Sequence, residues 1–305
     1  MEVAYPNGQR VRVLPGTTIL EASRNAGIPH ASLCGGRGRC STCRVEVTRG
    51  LEELPEASEA ERKVLERLGL PPRVRLACQT RPRHAVAVAP LLPAAATAVE
   101  ARSAAGHLQG SEREVVILFA DLRGFTTLAE NKLPYDVVFL LNRYFRATGM
   151  AVEEAGGRVD KFIGDGVMAL FGVEEPLETA CRNALEAARR MAEAIEEINV
   201  SLASDLPQPL RVGIGLHLGA VIVGEMGYGK AVGVTAIGDA VNTASRLESL
   251  TKDYAVQLVV SEEVLSRSGL AEQAGVAHEV EIRGRSGPLA VRAFADAREL
   301  PSRDG

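Results

Sequence analysis

The chain has no tryptophan, and only 4% of its 305 residues are aromatic. A platform on which nucleic-acid bases stack is therefore not expected. It also lacks an excess of positive charge: 35 Lys and Arg stand against 39 Asp and Glu, a formal net charge of −4. That balance argues against nucleic acid or an anionic membrane as partner. Long apolar runs are missing as well. The best candidate, 85–99, is short and broken by Pro90 and Pro93, whereas a membrane-spanning helix needs about 18 or more apolar residues. The start, Met1-Glu2-Val3, has neither the basic nor the apolar region of a secretion signal. Together these absences predict a soluble, cytoplasmic protein with no membrane partner.

Cysteines are few, and their placement is informative. Cys34, Cys40, Cys43 and Cys78 fall in the first third, and Cys181 stands alone. An odd number, four of them clustered, without a secretion signal reads as metal binding rather than disulfides. The remaining composition, 46% apolar and 24% charged, is that of a globular chain with room for about two domains.

Composition changes twice along the chain. Residues 1–92 are rich in Arg, Gly and Pro; 93–111 are mostly Ala, Ser and Gly, a linker of about 20 residues; 112–297 alternate apolar strands with amphipathic helices, leaving 298–305 as a tail. In the first segment, strands at Glu2–Tyr5 and Arg10–Leu14 flank Asn7-Gly8, and Thr17 caps a helix that stops at Gly27. In the second, Val115–Ala120 reads as a buried strand and Pro134 opens a long helix ended by Gly156-Gly157. A hairpin follows around Gly164-Asp165-Gly166, then a helix from Pro176 to about Asn199. Strands near 211–217, 220–223 and 233–237 precede a helix from Asp239. The order is β-α-β-β-α-β, so the fold class is α+β.

The cysteine spacing is C-x5-C-x2-C, with 34 residues before Cys78, inside the Gly-rich run CGGRGRCSTC. Four thiolates complete a tetrahedral zinc site or a 2Fe–2S cluster. The glycines favour the cluster, because a wrapping loop brings backbone N–H groups to a negatively charged centre. Residues 1–92 resemble 2Fe–2S ferredoxins of the β-grasp fold. The first gap of five departs from the plant-type four and is more similar to the adrenodoxin-type or bacterial variants. Cys181, on the Ala-rich face of a helix, reads as a buried, inert thiol.

Four motifs stand out further on. FADLRGFT places Asp121 at a strand end, followed by Leu122 and the backbone amides of Gly124, Phe125 and Thr126, a place for a cation and a phosphate. KFIGDGVMALFG places Asp165 at a hairpin tip, and two such carboxylates suit a two-metal site. NTASR sets Asn242 and Arg246 at i and i+4, on one helix face. Arg211 precedes an apolar strand, and Arg283 and Arg285 sit in IRGRSG. Singly, each has a bland reading as a turn former or a surface charge.

Together and in this order they resemble the class III adenylate/guanylate cyclase catalytic domain, a ferredoxin-like βαββαβ fold, over 112–297. The resemblance implies that Asp121, Leu122 and Asp165 hold two Mg²⁺ or Mn²⁺ ions. It implies that Asn242 orients the ribose and that Arg246 meets the α-phosphate. Arg211, one of Arg283 and Arg285, and the amides of Gly124, Phe125 and Thr126 would bind the triphosphate. Lys161 and Thr235 match the base-selecting pair. Adenine offers an N1 acceptor and an N6 donor, which suits a Lys that only donates and a Thr that accepts. A hydroxyl can also donate, so discrimination is expected to rest mostly on Lys161. Thr235 in place of Asp resembles the bicarbonate-responsive subgroup. Neither His217 nor His278 falls in a motif, and both read as structural.

The expected activity is conversion of ATP to cyclic AMP and pyrophosphate in a two-fold homodimer, governed by the cluster domain and an electron-donor reductase. Two alternatives remain: an electron-transfer protein with an inactive nucleotide-binding module, and a guanylate cyclase.

Overall fold

The computed structural model describes residues 1–92, 110–227, 232–269, 275–282 and 287–300. The linker reading over 93–109, Arg283, Arg285 and the tail from 301 lie outside the described residues. The chain divides into two compact units, Met1–Ser111 and Glu112–Gly305.

The first unit is a five-stranded sheet in the order β2-β1-β5-β3-β4. β1 (Glu2–Ala4) and β2 (Arg10–Arg12) form the antiparallel hairpin that Asn7-Gly8 signals. β5 (Val86–Pro90) runs parallel to β1, and β3 (Arg44–Arg49) runs antiparallel to both β5 and β4 (Val74–Leu76). The sheet grips helix α1 (Ile19–Asn25), whose Ile19, Leu20 and Ala22 bury against Val3, Val45, Leu76 and Val88. Its cap is Thr18 rather than Thr17. The Thr18 side chain accepts from the Glu21 N–H, while the Glu21 carboxylate reaches back to the Thr18 N–H at 2.7 Å. That reciprocal box satisfies two free donors, which Thr17 cannot do. Helix α2 (Glu59–Arg67) carries Glu61, buried and clasped by Arg75 through two hydrogen bonds of 2.9 and 3.0 Å.

The second unit is built on a sheet ordered β12-β13-β11-β9-β6-β8-β7, with β10 paired to β9. From Val115 onward β6 (Ser111–Leu122) is covered on both faces, which is why Val115–Ala120 is a continuous apolar run. Val116, Leu118, Ala120 and Leu122 point into a core beneath helices α4 (Pro134–Glu154) and α5 (Leu177–Ser201). Val115 and Ile117 point to the opposite side, where α6 (Asp239–Asp253) lays down Ala240 and Ala244. Between β6 and α4 lies the short helix α3 (Phe125–Glu130). β7 (Arg158–Ile163) and β8 (Gly166–Phe171) form the hairpin, and Gly164 in its turn has φ +63°. β11 (Leu258–Ser261) runs parallel to β9 and is followed by α7 (Glu262–Ser268). β12 (Val276–Val280) and β13 (Leu289–Phe294) complete the sheet in antiparallel pairing.

β9 (Val212–Met226) is one strand of 15 residues, not the two strands expected from its sequence. The apparent break at Gly219 has another cause. A Cβ there would stand 2.6 Å from the Ala240 Cβ, so the glycine admits α6 instead of turning the chain. Gly213 and Gly215 lie on the same face; a Cβ on Gly215 would meet the Glu248 backbone N at 2.2 Å. Among the described residues, no helix is long and apolar enough to cross a membrane.

Candidate active site and cluster site

Asp121 comes from the end of β6 and Asp165 from the tip of the β7–β8 hairpin. Antiparallel pairing of β6 with β8, Ala120 opposite Val167, brings the two ends together. The two carboxyls are close enough for Asp165 to act on Asp121. Burial, then the charges of Asp165 and Glu248, push Asp121 up to about 7 from the usual 3.8. A Cβ on Gly166 would crowd the Ile163 carbonyl oxygen at 3.1 Å, while Asp121 Oδ1 would stand in ordinary contact with it at 3.5 Å. Two carboxyls forced together are a donor set that a divalent cation relieves, so these residues fit a metal site.

The same corner opens into a cleft of about 860 Å³, lined also by Leu122, Gly124, Thr126 and Arg211. Gly124 begins α3 at φ +68° and aims the chain around the corner. Arg123 is a residue that the motif reading passed over. Its backbone N–H donates to the Arg211 carbonyl at 2.8 Å, and its guanidinium lies 2.8 Å from Glu248 Oε1 on α6. The guanidinium passes over Gly213, where a Cβ would stand 1.7 Å from it. Arg123 therefore ties the start of α3 to β9 and α6. No signal in the sequence beyond its charge pointed to this.

Lys161 on β7 and Thr235 on β10 (Gly233–Ile237) are brought together through a third residue, Asp160. The Thr235 hydroxyl donates to Asp160 Oδ2 at 2.8 Å, and Lys161 Nζ lies 3.2 Å from the same oxygen. The Asp160 side chain is fully buried while Lys161 is half exposed. Asn242 is exposed and Arg246 half-buried, one turn apart on α6. Among the described residues, the lining of the Asp121 cleft includes none of Lys161, Thr235, Asn242 and Arg246. Within one chain, Asp121, Asp165 and Arg211 thus line one cleft, and these four residues do not.

In the first unit, Cys43 and Cys78 are buried, and Cys34 and Cys40 are partly exposed. The thiols fall in two neighbouring pairs, Cys34 with Cys40 and Cys43 with Cys78. Among the described residues, no three or more His, Cys, Asp or Glu side chains converge on a single-ion site. Four thiols on and beside one wrapping loop fit a 2Fe–2S cluster as its donor set. The surroundings favour the thiolate at Cys34 and Cys78, while Cys43, which donates to Cys78 and is buried, is pushed up. Cys34 is held below the usual thiol value despite its burial, because the Arg39 N–H, Cys40, and the N–H groups of Gly36 and Arg37 point at it. Cys78 is drawn down to about 6 by Cys43, against its own burial, with further donors from the Gln79 side chain and the Gly38 N–H. Gly35, Gly36 and Gly38 all have positive φ, which wraps the backbone donors inward. Cys181 is buried, and burial pushes its thiol up to about 12, as an inert core thiol requires. His217 is buried in the sheet, and His278 stacks on Tyr254 with ring centroids 4.4 Å apart.

Comparison with known proteins follows the same division. The family model of the adenylate and guanylate cyclase catalytic domain matches residues 109–292, and that of the 2Fe–2S iron–sulfur cluster binding domain matches residues 4–83. An adenylate cyclase of Anabaena cylindrica is 36% identical over 189 residues, 59% of this chain and 36% of that protein. The chain thus spans about a third of that relative's length. Among solved structures, the guanylyl cyclase Cya2 is 31% identical with a TM-score of 0.56, covering 61% of this chain and 94% of its own. The adenylyl cyclase CyaB from P. aeruginosa is 27% identical with a TM-score of 0.55, covering 64% and 100%.

Proposed function

Because this chain belongs to the adenylate and guanylate cyclase catalytic-domain family, we propose that it converts ATP to 3′,5′-cyclic AMP and pyrophosphate. The observation that carries the reading is the Asp121–Asp165 pair, two carboxyls pressed together at the mouth of a cleft. Mg²⁺ or Mn²⁺ ions on these groups and the Leu122 carbonyl would lower the pKa of the ribose 3′-hydroxyl and neutralise the triphosphate. In the reaction the bond from O3′ to the α-phosphorus forms and the bond to the departing pyrophosphate breaks.

The chain's own residues take the remaining tasks. Asn242 orients the ribose, and Arg246 offsets charge on the α-phosphate as it builds. Arg211, the backbone N–H groups of Gly124, Phe125 and Thr126, and Arg283 or Arg285 hold the triphosphate. Lys161 donates to adenine N1, and Thr235 faces the N6 amino group. Since Lys161, Thr235, Asn242 and Arg246 do not line the Asp121 cleft of their own chain, the complete site takes the metal-holding residues from one chain of a two-fold homodimer and these four from the other.

The likeness to both a guanylyl and an adenylyl cyclase leaves base choice to positions 161 and 235. A carboxylate would suit guanine at position 161, and a lysine stands there. The test is product formation from ATP and from GTP with Mn²⁺, in the native chain and in Lys161→Glu. Cyclic AMP from the native chain, with a preference for ATP that collapses in the variant, supports the reading. No cyclic nucleotide, or a native preference for GTP, overturns it.

The N-terminal unit, with its paired cysteines, is read as a redox input that sets the cyclase rate, loaded by an electron-donor reductase. A 2Fe–2S cluster there would supply a one-electron change of charge. The working boundaries are 1–92 for this domain, 93–111 for the linker and 112–297 for the cyclase.

A further inference from the structure

We infer that Asp160 is a specificity-determining positioning residue: it fixes the hydrogen-bond polarity of Thr235 and anchors Lys161, and so makes the base pocket read adenine. The inference rests on the reading of Lys161 and Thr235 as the base-contacting pair.

Neighbouring residues on a regular strand point to opposite faces, so Asp160 and Lys161 are not expected to share a target. The β7–β8 register removes the difficulty. Val159 pairs with Ala169 and Lys161 with Met168, which leaves Asp160 as an extra residue in a β-bulge. A bulge re-aims side chains, and here both reach the same place. Thr235 arrives from β10, 75 positions along the chain, and closes the group with its 2.8 Å bond to Asp160 Oδ2.

The polarity follows from counting protons. A threonine hydroxyl has one proton and two lone pairs. An ionised carboxylate only accepts, so the proton of Thr235 is committed to Asp160 and only lone pairs remain for a ligand. Facing adenine, those lone pairs accept from the N6 amino group. Facing guanine they would oppose the O6 lone pairs, and the Lys161 ammonium would oppose the N1–H. The Asp160 carboxylate, fully buried, thus turns an ambivalent hydroxyl into an acceptor and holds the ammonium beside it. Discrimination therefore does not rest mostly on Lys161, as the sequence suggested, but on both groups acting through Asp160.

The experiment measures binding of 3′-deoxy-ATP and 3′-deoxy-GTP, which lack the attacking hydroxyl and cannot cyclise, to the full-length chain with Mg²⁺. The variants are Asp160→Ala, the similarly sized Asp160→Leu, which has no acceptor for the Thr235 proton, and each combined with Thr235→Val. The native chain is expected to prefer the adenine analogue. Each Asp160 variant is expected to cut that preference about tenfold or more, the scale of one lost polar match. In the Thr235→Val background the same substitutions are expected to change it by much less, because the partner through which Asp160 acts is gone. Should Asp160→Ala fail to fold, Asp160→Leu carries the test. A native chain that does not discriminate, equal weakening for both analogues, or an undiminished effect in the Thr235→Val background would each overturn the inference. Cyclisation plays no part in this readout, so a chain that binds selectively but yields no cyclic nucleotide would sink the proposed activity and leave this inference standing.

Discussion

The carboxyls of Asp121 and Asp165, one at a strand end and one at a hairpin tip, line one corner of a cleft, where the charges of Asp165 and Glu248 both act on Asp121. Such an arrangement is stable only while a proton or a cation sits between the groups.

The pH dependence of metal binding follows. In the metal-free protein Asp121 is raised to about 7 from 3.8, so the folded state holds its proton more tightly than the unfolded state. The resulting contribution to stability is full below about pH 4 and is lost as pH rises through 7. Mn²⁺ must displace that proton, so its apparent affinity should fall by up to about tenfold per pH unit below 7. Thermal unfolding with and without Mn²⁺ should show a larger rise in Tm at pH 8 than at pH 6, and little rise at either pH in Asp121→Asn. An equal rise at both pH values would place the ion elsewhere.

A shared site predicts complementation. Asp165→Ala and Arg246→Ala chains, each inactive as homodimers, should regain activity when mixed, because one of the two sites in the mixed dimer retains both groups. At equal mixing half the dimers are mixed, each with one intact site, so about a quarter of native activity is expected. Activity that stays at the level of the separate variants would argue for a site built within one chain.

The cysteine pairs predict which thiols matter. Substituting Cys34, Cys40, Cys43 or Cys78 by Ser should each abolish most of the visible absorption and most of the bound iron and sulfide. Cys181→Ala should leave the iron content unchanged. Colourless protein containing zinc would contradict the cluster.

The buried Glu61–Arg75 pair predicts a stability effect in the first unit. Glu61 also accepts from the Leu76 N–H at 2.7 Å, so Glu61→Ala strands a buried guanidinium and a backbone donor. A loss of about 3–5 kcal/mol in denaturant unfolding of that unit is expected. A loss below about 1 kcal/mol would mean that water replaces the carboxylate.

Much of this architecture was legible in the sequence because its signals are local. The Asn7-Gly8 turn, the Pro134 helix start and the Gly164-Asp165 hairpin each follow from a backbone preference of one or two residues. The cysteine spacing and the four cyclase-like motifs likewise announce their chemistry through residue type. What was not legible depends on contacts between distant segments. Gly219 looks like a break in β9, yet it makes room for Ala240. Arg123 looks like one more surface charge until Glu248 and Gly213 come beside it. Asp160 was hidden for a different reason: strand alternation assigns it to the face opposite Lys161, and only the bulge in the β7–β8 register reverses that. Thr17 and Thr18 are equivalent in type, and the choice between them belongs to Glu21.

That a cyclase is governed by its own iron–sulfur unit can be checked in one assay. Formation of cyclic AMP and pyrophosphate from ATP would be followed anaerobically on one protein sample, first oxidised and then reduced with dithionite. The account predicts a clear rate that differs between the two states and becomes insensitive to reduction in Cys78→Ser. The same rate in both states would contradict the redox link, and no product in either state, with cluster and dimer intact, would contradict the enzyme.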